Sequence, residues 1–214
     1  ADGTGCVKSG VCGKNPQVAA LQDVLLHALK GLSVVAVAAR EKGINERAVN
    51  VFTVQATFAT LTNVSFDPER LTGQIQQAVT LREELKAKLV AAGGEVPAGE
   101  AVTFTPAADL AGLEKQGEQY GIEHDPETNP DLKALKQTLI YGLKGVAAYA
   151  DHAQILGQED DEVYAFVQEG LAATLSTELS LEDCVAAAMK CGQINLKAME
   201  LLDAGNTGVY GHPV

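Results

Sequence analysis

The chain has 214 residues, 46% of them apolar, 5% aromatic and none Trp, with 16 Lys+Arg against 28 Asp+Glu and a formal net charge of −12. That apolar share excludes a disordered chain. The scarcity of aromatic and alternating β-branched residues, beside abundant Ala, Leu, Glu, Lys and Gln, disfavours a sandwich or barrel and predicts an all-α fold. The negative field repels phosphate backbones and anionic lipid heads, which argues against nucleic-acid and membrane partners.

No run reaches the roughly 18 to 20 uninterrupted apolar residues of a membrane helix, and no basic-then-apolar leader opens the chain. A soluble, cytoplasmic protein is expected. The sequence opens on Ala1-Asp2-Gly3 and stops at His212-Pro213-Val214 without an obvious ending signal, which suggests a fragment of something longer.

Asn15-Pro16 places a capping side chain before a residue whose fixed φ and missing N–H suit the first helical turn. A helix is predicted from there, carrying Val18, Leu21, Leu25, Leu29, Leu32 and Val35 on its apolar face and closing at Gly43. A second is predicted over 46–63. Asp67-Pro68 repeats the cap, and Leu71, Ile75, Val79, Leu81, Leu85 and Leu89 stripe a third that ends at Gly93-Gly94. Residues 94–106 turn to Gly, Pro and short side chains, which reads as a linker with one short extended piece, followed by a weak helix over 107–119. An acidic loop, Glu123-His124-Asp125-Pro126-Glu127, leads to the cap Asn129-Pro130. Helices are then predicted over 132–156, 159–175 and 180–202, the last opened by a Ser180-x-x-Asp183 capping box.

This second series repeats the first. Leu29-Lys30-Gly31 matches Leu143-Lys144-Gly145 at an offset of 114, and the same offset carries Phe52 onto Phe166 and Ala59-Thr60-Leu61 onto Ala173-Thr174-Leu175 without a gap. A helix-interior Gly costs about 0.5–1 kcal/mol against Ala, so its recurrence predicts close helix approach at both places. The architecture expected is two tandem three-helix bundles behind an irregular Cys/Gly-rich N-terminal segment: a cysteine loop at 1–15, a first bundle at 16–93, a linker at 94–129, a second bundle at 130–205 and the start of a further connection at 206–214.

Candidate chemistry concentrates in Gly3 through Lys14, where Cys6 and Cys12 stand five residues apart among glycines. Thiolates suit soft metals and iron–sulfur clusters, and Lys8 and Lys14 would offset cluster charge. Closed sites of that kind take four ligands, and only two are here, so half a site, a reduced metal-free pair and a local disulfide all stay open. Cys184 and Cys191 lie two turns apart on one helix face and read as buried apolar side chains. His27 and His152 read as packing or surface residues, His124 as part of a solvated loop with weak affinity for a divalent ion at most, and His212 as terminal. Glu159-Asp160-Asp161-Glu162 reads as negative charge at a helix N-terminus.

Several segments together carry a resemblance. Gly5-Cys6 through Gly10-Val11-Cys12-Gly13-Lys14, Leu21-Gln22-Asp23, Leu29-Lys30-Gly31, Leu61-Thr62-Asn63-Val64, Leu143 to Tyr149, Leu202-Asp203-Ala204 and Tyr210-Gly211-His212-Pro213 resemble, in order, the N-terminal helical domain of the hybrid-cluster proteins, also called prismane proteins or hydroxylamine reductases. The resemblance implies two three-helix bundles here. Downstream domains would hold a hybrid iron–sulfur–oxygen cluster that reduces hydroxylamine to ammonia and water, with nitric-oxide reduction an additional assignment. It also implies that Cys6 and Cys12 are cofactor-binding and metal-ligating residues, the second pair of a four-cysteine iron–sulfur site whose first pair lies ahead of Ala1. The five-residue gap resembles the [4Fe–4S] branch more than the [2Fe–2S] branch.

On this reading the domain is a scaffold and electron relay, with no catalytic residues of its own and no complete cluster by itself. Its partners would be the downstream hybrid-cluster domains and a redox donor protein, with homo-oligomers compatible with the sequence. The competing expectation is a non-enzymatic helical interaction module whose cysteine loop is vestigial or binds zinc.

Overall fold

The computed structural model describes residues 12–212, and among them the chain forms eight α-helices, one 3-10 turn and no strand. The helices are α1 (Pro16–Glu41), α2 (Arg47–Ala59), α3 (Pro68–Ala91), α4 (Glu100–Thr103), α5 (Leu110–Gly117), α6 (Pro130–Ile155), α7 (Asp161–Ala173) and α8 (Leu181–Tyr210). The all-α class expected from composition is the one observed.

Capping chemistry sets the starts. Asn15 Oδ1 accepts from Val18 N at 2.8 Å, Asp67 Oδ1 from Glu69 N at 2.9 Å and Asn129 Oδ1 from Asp131 N at 3.0 Å, each satisfying an orphan donor of the first turn. Ser180 and Asp183 form the reciprocal box at the start of α8. Asp160 caps α7 through Glu162 N, so the acidic run does sit on a helix N-terminus.

The duplication is as regular in space as in sequence. Both bounds of α1 map onto those of α6, and both bounds of α2 onto those of α7, at the offset of 114. Even the closing turns match: Gly43 (φ 76) and Gly157 (φ 79) are both left-handed, with Ile44 N donating to Ala39 O and Gln158 N to Ala153 O, each at 2.9 Å.

The long helices pair within each half, α1 with α3 and α6 with α8, whereas the short ones trade places. α1 packs more extensively on α7 than on its neighbour α2, α6 more on α2 than on α7, and α2 and α7 touch each other. One continuous apolar cluster results, from Leu21, Leu25 and Leu29 through Leu143, Val167 and Ile194. A buried polar network ties the exchange: Arg40 donates to Asn50 Oδ1 (2.7 Å) and to Gln168 Oε1 (3.1 Å), and Gln168 Nε2 donates to Asn50 Oδ1 (3.0 Å). α1 is long and apolar enough to cross a membrane, but 72% of its most apolar window is buried in this core.

The ends of several elements differ from expectation. α2 stops at Ala59, because Thr60 turns its hydroxyl onto Thr57 O and Asn63 takes a left-handed backbone (φ 65). The extended piece expected within 94–106 is instead the helical turn α4, held against α1. The weak helix shrinks to α5, and α7 begins and ends two residues inside its predicted span. Residues 206–210, expected to begin a connection, continue α8.

Close approach at the repeated glycine occurs in only one half. A Cβ on Gly31 would lie 2.0 Å from Ala101 O, whereas one on Gly145 would meet nothing within 4 Å. The cause is the intervening segment: α4 and α5 lie on α1, and among the described residues no equivalent lies on α6. In the second half the tight contact moves to Gly142, where a Cβ would lie 2.7 Å from Cys191 Sγ.

Candidate functional site

A cleft of about 930 Å³ opens where the first turns of α1, the loop after α5 and the N-terminal half of α6 come together. Cys12, Lys14, Asp23, Lys30, Tyr141 and Lys144 line it. Lys30 and Lys144 are the two copies of the repeated Leu-Lys-Gly lysine, so the duplication itself brings two cations to one place.

Lys144 donates to Thr60 O at 3.2 Å, at the end of α2, and its Nζ lies 5.9 Å from the Tyr141 ring centroid. Lys14 donates to Gln22 Oε1 at 2.6 Å, and Gln22 in turn donates to Ser65 O at 3.0 Å, which ties the segment next to Cys12 onto α1. Lys136 is tied to Glu127 and to Ser176 O.

Burial dominates the electrostatics. It pushes the Asp23 carboxyl up to about 6, although Lys144, Lys14 and Lys30 pull it down. It pushes Lys144 down to about 8 against the attraction of Asp23, and Lys30 is lowered for the same reason. Lys14, Lys30, Lys136 and Lys144 line the cleft together with Asp23, Glu100, Asp125 and Glu127, so its charge is balanced in a chain of net charge −12.

One wall of the cleft carries a cluster around His27. Its ring stacks on Tyr120 at 3.8 Å, meets Phe104 edge-on at 5.1 Å, and holds Nε2 2.7 Å from Glu100 Oε2. Burial lowers the His27 pKa while Glu100 raises it, and Tyr120 is pushed up to about 12 by burial and its hydrogen bond to Glu100. The imidazole is thereby a packing residue.

Of the predicted ligands, Cys12 is exposed at the cleft, whereas Cys6 and Lys8 lie outside the described residues. Cys184 and Cys191 are buried on α8, with both thiols raised by burial. His124 lies in the acidic loop at the cleft and is exposed, and His152 contacts Ala148 O at 2.6 Å and packs on Phe58. Among the described residues, no three His, Cys, Asp or Glu side chains form a group able to hold a metal. Among the described residues, Cys12 is the one exposed thiol, Cys184 and Cys191 being buried.

Sequence reasoning did not foresee the convergence of Lys30 and Lys144 or the His27–Glu100 contact. The repeat carried the signal for the first. The second depends on α4, which was expected to be extended.

Comparison with known proteins gives a consistent result. The chain is 58% identical to a hydroxylamine reductase of Syntrophobacter fumaroxidans, 54% to one of Methanocella arvoryzae and 45% to one of Geobacter sulfurreducens, in each case over 100% of this chain and 40% of the relative. It thus spans about 40% of the length of these relatives. Residues 2–214 match the Prismane/CO dehydrogenase family, and the chain belongs to that family.

Proposed function

We propose that this chain is the helical part of a hydroxylamine-reductase-like oxidoreductase that takes hydroxylamine to ammonia and water with two electrons and two protons, and that it serves there as scaffold and as half of an electron-relay site. The observation that carries this reading is the match of the whole chain to relatives named hydroxylamine reductase, of which it covers 40%. Cys6 and Cys12 are two of four thiolate ligands of a [4Fe–4S] cluster in the parent, the other two coming from outside these 214 residues. Lys14, Lys30 and Lys144, which line the cleft together with Cys12, support the assignment, since a thiolate-ligated cluster is an anion.

This chain's residues brace the segment that carries Cys12 and place Lys14, Lys30 and Lys144 near it; they supply no substrate ligand. The parent's later domains and a redox donor protein are the partners this role requires. A reducing cytoplasm suits the free thiols of Cys12, Cys184 and Cys191.

The test is anaerobic iron and sulfide reconstitution of the full-length parent. A brown protein whose visible band is lost on Cys12→Ser supports the reading. A colourless protein that binds zinc would overturn it in favour of the helical interaction module.

A further inference from the structure

α8 carries two apolar faces, of which the fold uses one. Cys184, Cys191, Ile194 and Ala198 are buried in the core. On the far side, Val185, Met189, Leu196 and Met199 are exposed, Met189 by 68% and Leu196 by 61%, with Gly192 open between them. Both methionines of the chain are in this stripe.

The spacing is informative. Positions 185, 189, 192, 196 and 199 are separated by alternating steps of four and three, the pattern that keeps one seam facing a neighbouring helix along several turns. Gly192 has free space where a Cβ would stand, so a partner helix can approach closely midway. Methionine side chains adapt to a surface laid upon them.

The duplicate supplies a control. With the helix caps Asp67 and Ser180 as reference, Met189, Leu196 and Met199 correspond to Gln76, Glu83 and Lys86 of α3. Those positions are polar, and Lys86 and its neighbour Arg82 donate to Val102, Ala101 and Phe104 carbonyls of the segment that covers the α1–α3 groove. At the corresponding places α8 has Met199 and Asn195, and α6 has Tyr141, 57% exposed, where α1 has the covered His27. Among the described residues, the second half keeps the groove and lacks the cover.

We infer that the exposed stripe of α8 is the seat of a helix from the remainder of the parent polypeptide, docked along Val185, Met189, Leu196 and Met199 beside the open α6–α8 groove. Two observations choose this occupant over a second copy of the chain. The relatives are far longer, this chain covering 40% of them, so a large body of polypeptide remains to be packed. Two copies would each bring a net charge of −12 to an interface with little charge of its own. The inference rests on membership in the longer family and not on the cluster: methionine protection and protein colour are separate readouts.

The test uses Met189 and Met199 as built-in probes. Limited hydrogen peroxide oxidation of the full-length parent and of the 214-residue chain, read by peptide mass spectrometry, is expected to show both methionines at least tenfold slower in the parent. Equal rates would overturn the inference. Sedimentation of the 214-residue chain is expected to give a monomer at tens of micromolar. A dimer dissociated by Leu196→Glu would also overturn it, by assigning the stripe to a second copy.

Discussion

The two halves of this chain begin from the same helices and end with different surfaces. In the first, α4, Phe104 and Tyr120 lie on α1, and buried Arg82 donates to Ala101 O and Phe104 O at 2.9 and 2.8 Å. In the second, the matching face of α6 is open at Gly145 and Tyr141. A duplicated fold conserves helix bounds and closing turns, while what lies on each helix is set by the chain between the copies.

The sharpest way to break this comparison is to place the same methyl group in both halves. Gly31→Ala puts a Cβ against the Ala101 backbone, 2.0 Å from O and 2.7 Å from C, which a side-chain rotation cannot relieve. A destabilisation of about 3 kcal/mol is expected in urea unfolding of the 214-residue chain. Arg82→Met leaves two carbonyls under the cover without their charged donor and is expected to cost about 2–3 kcal/mol, whereas Asn195→Met, at the matching place on α8, is expected to change stability by less than about 0.5 kcal/mol. Equal costs would mean the cover adds nothing.

A pH measurement sharpens the contrast at the cleft between the halves. The folded Asp23 carboxyl, pushed by burial to about 6, lies above its ordinary value of 3.8, so folding favours the neutral acid. Its contribution is therefore most favourable below the unfolded pKa, is lost as pH rises from about 4 to about 6, and stays lost above that. Asp23→Asn is expected to remove this component and to stabilise the chain at pH 7 relative to pH 4 by about 1–2 kcal/mol. An unchanged pH profile of unfolding would show that Asp23 is solvated. The smallest effect belongs to Gly145→Ala, which meets open space and is expected to stabilise α6 by about 0.5–1 kcal/mol through helix propensity, opposite in sign to its counterpart.

Much of the fold was legible from local chemistry. Asn15, Asp67, Asn129 and Ser180 start helices where their side chains say they should, because a cap acts within four residues and needs no tertiary partner. The repeat of Lys30 and Lys144 held the makings of the cleft. What was not legible depends on long-range packing. α4 is a four-residue turn stabilised by its seat on α1, not by its own propensity, and the lack of a counterpart among the described residues of the second half is why Gly31 and Gly145 differ although both end a Leu-Lys-Gly triplet. The exchange of α2 and α7 leaves no periodic mark, since each short helix must be apolar wherever it packs. The candidate ligands divide likewise: Cys12 lies at a cleft its sequence could not announce, and Cys6 lies outside the described residues.

The traded short helices also bear on how the protein is made. α1 leaves the ribosome before α7, the helix of the short pair that covers it most, which ends at Ala173. Until α7 follows, the leucines of α1 have only α3, the small α4 and α5 and a lesser contact with α2 to cover them, and the second half arrives as the missing wall of the first.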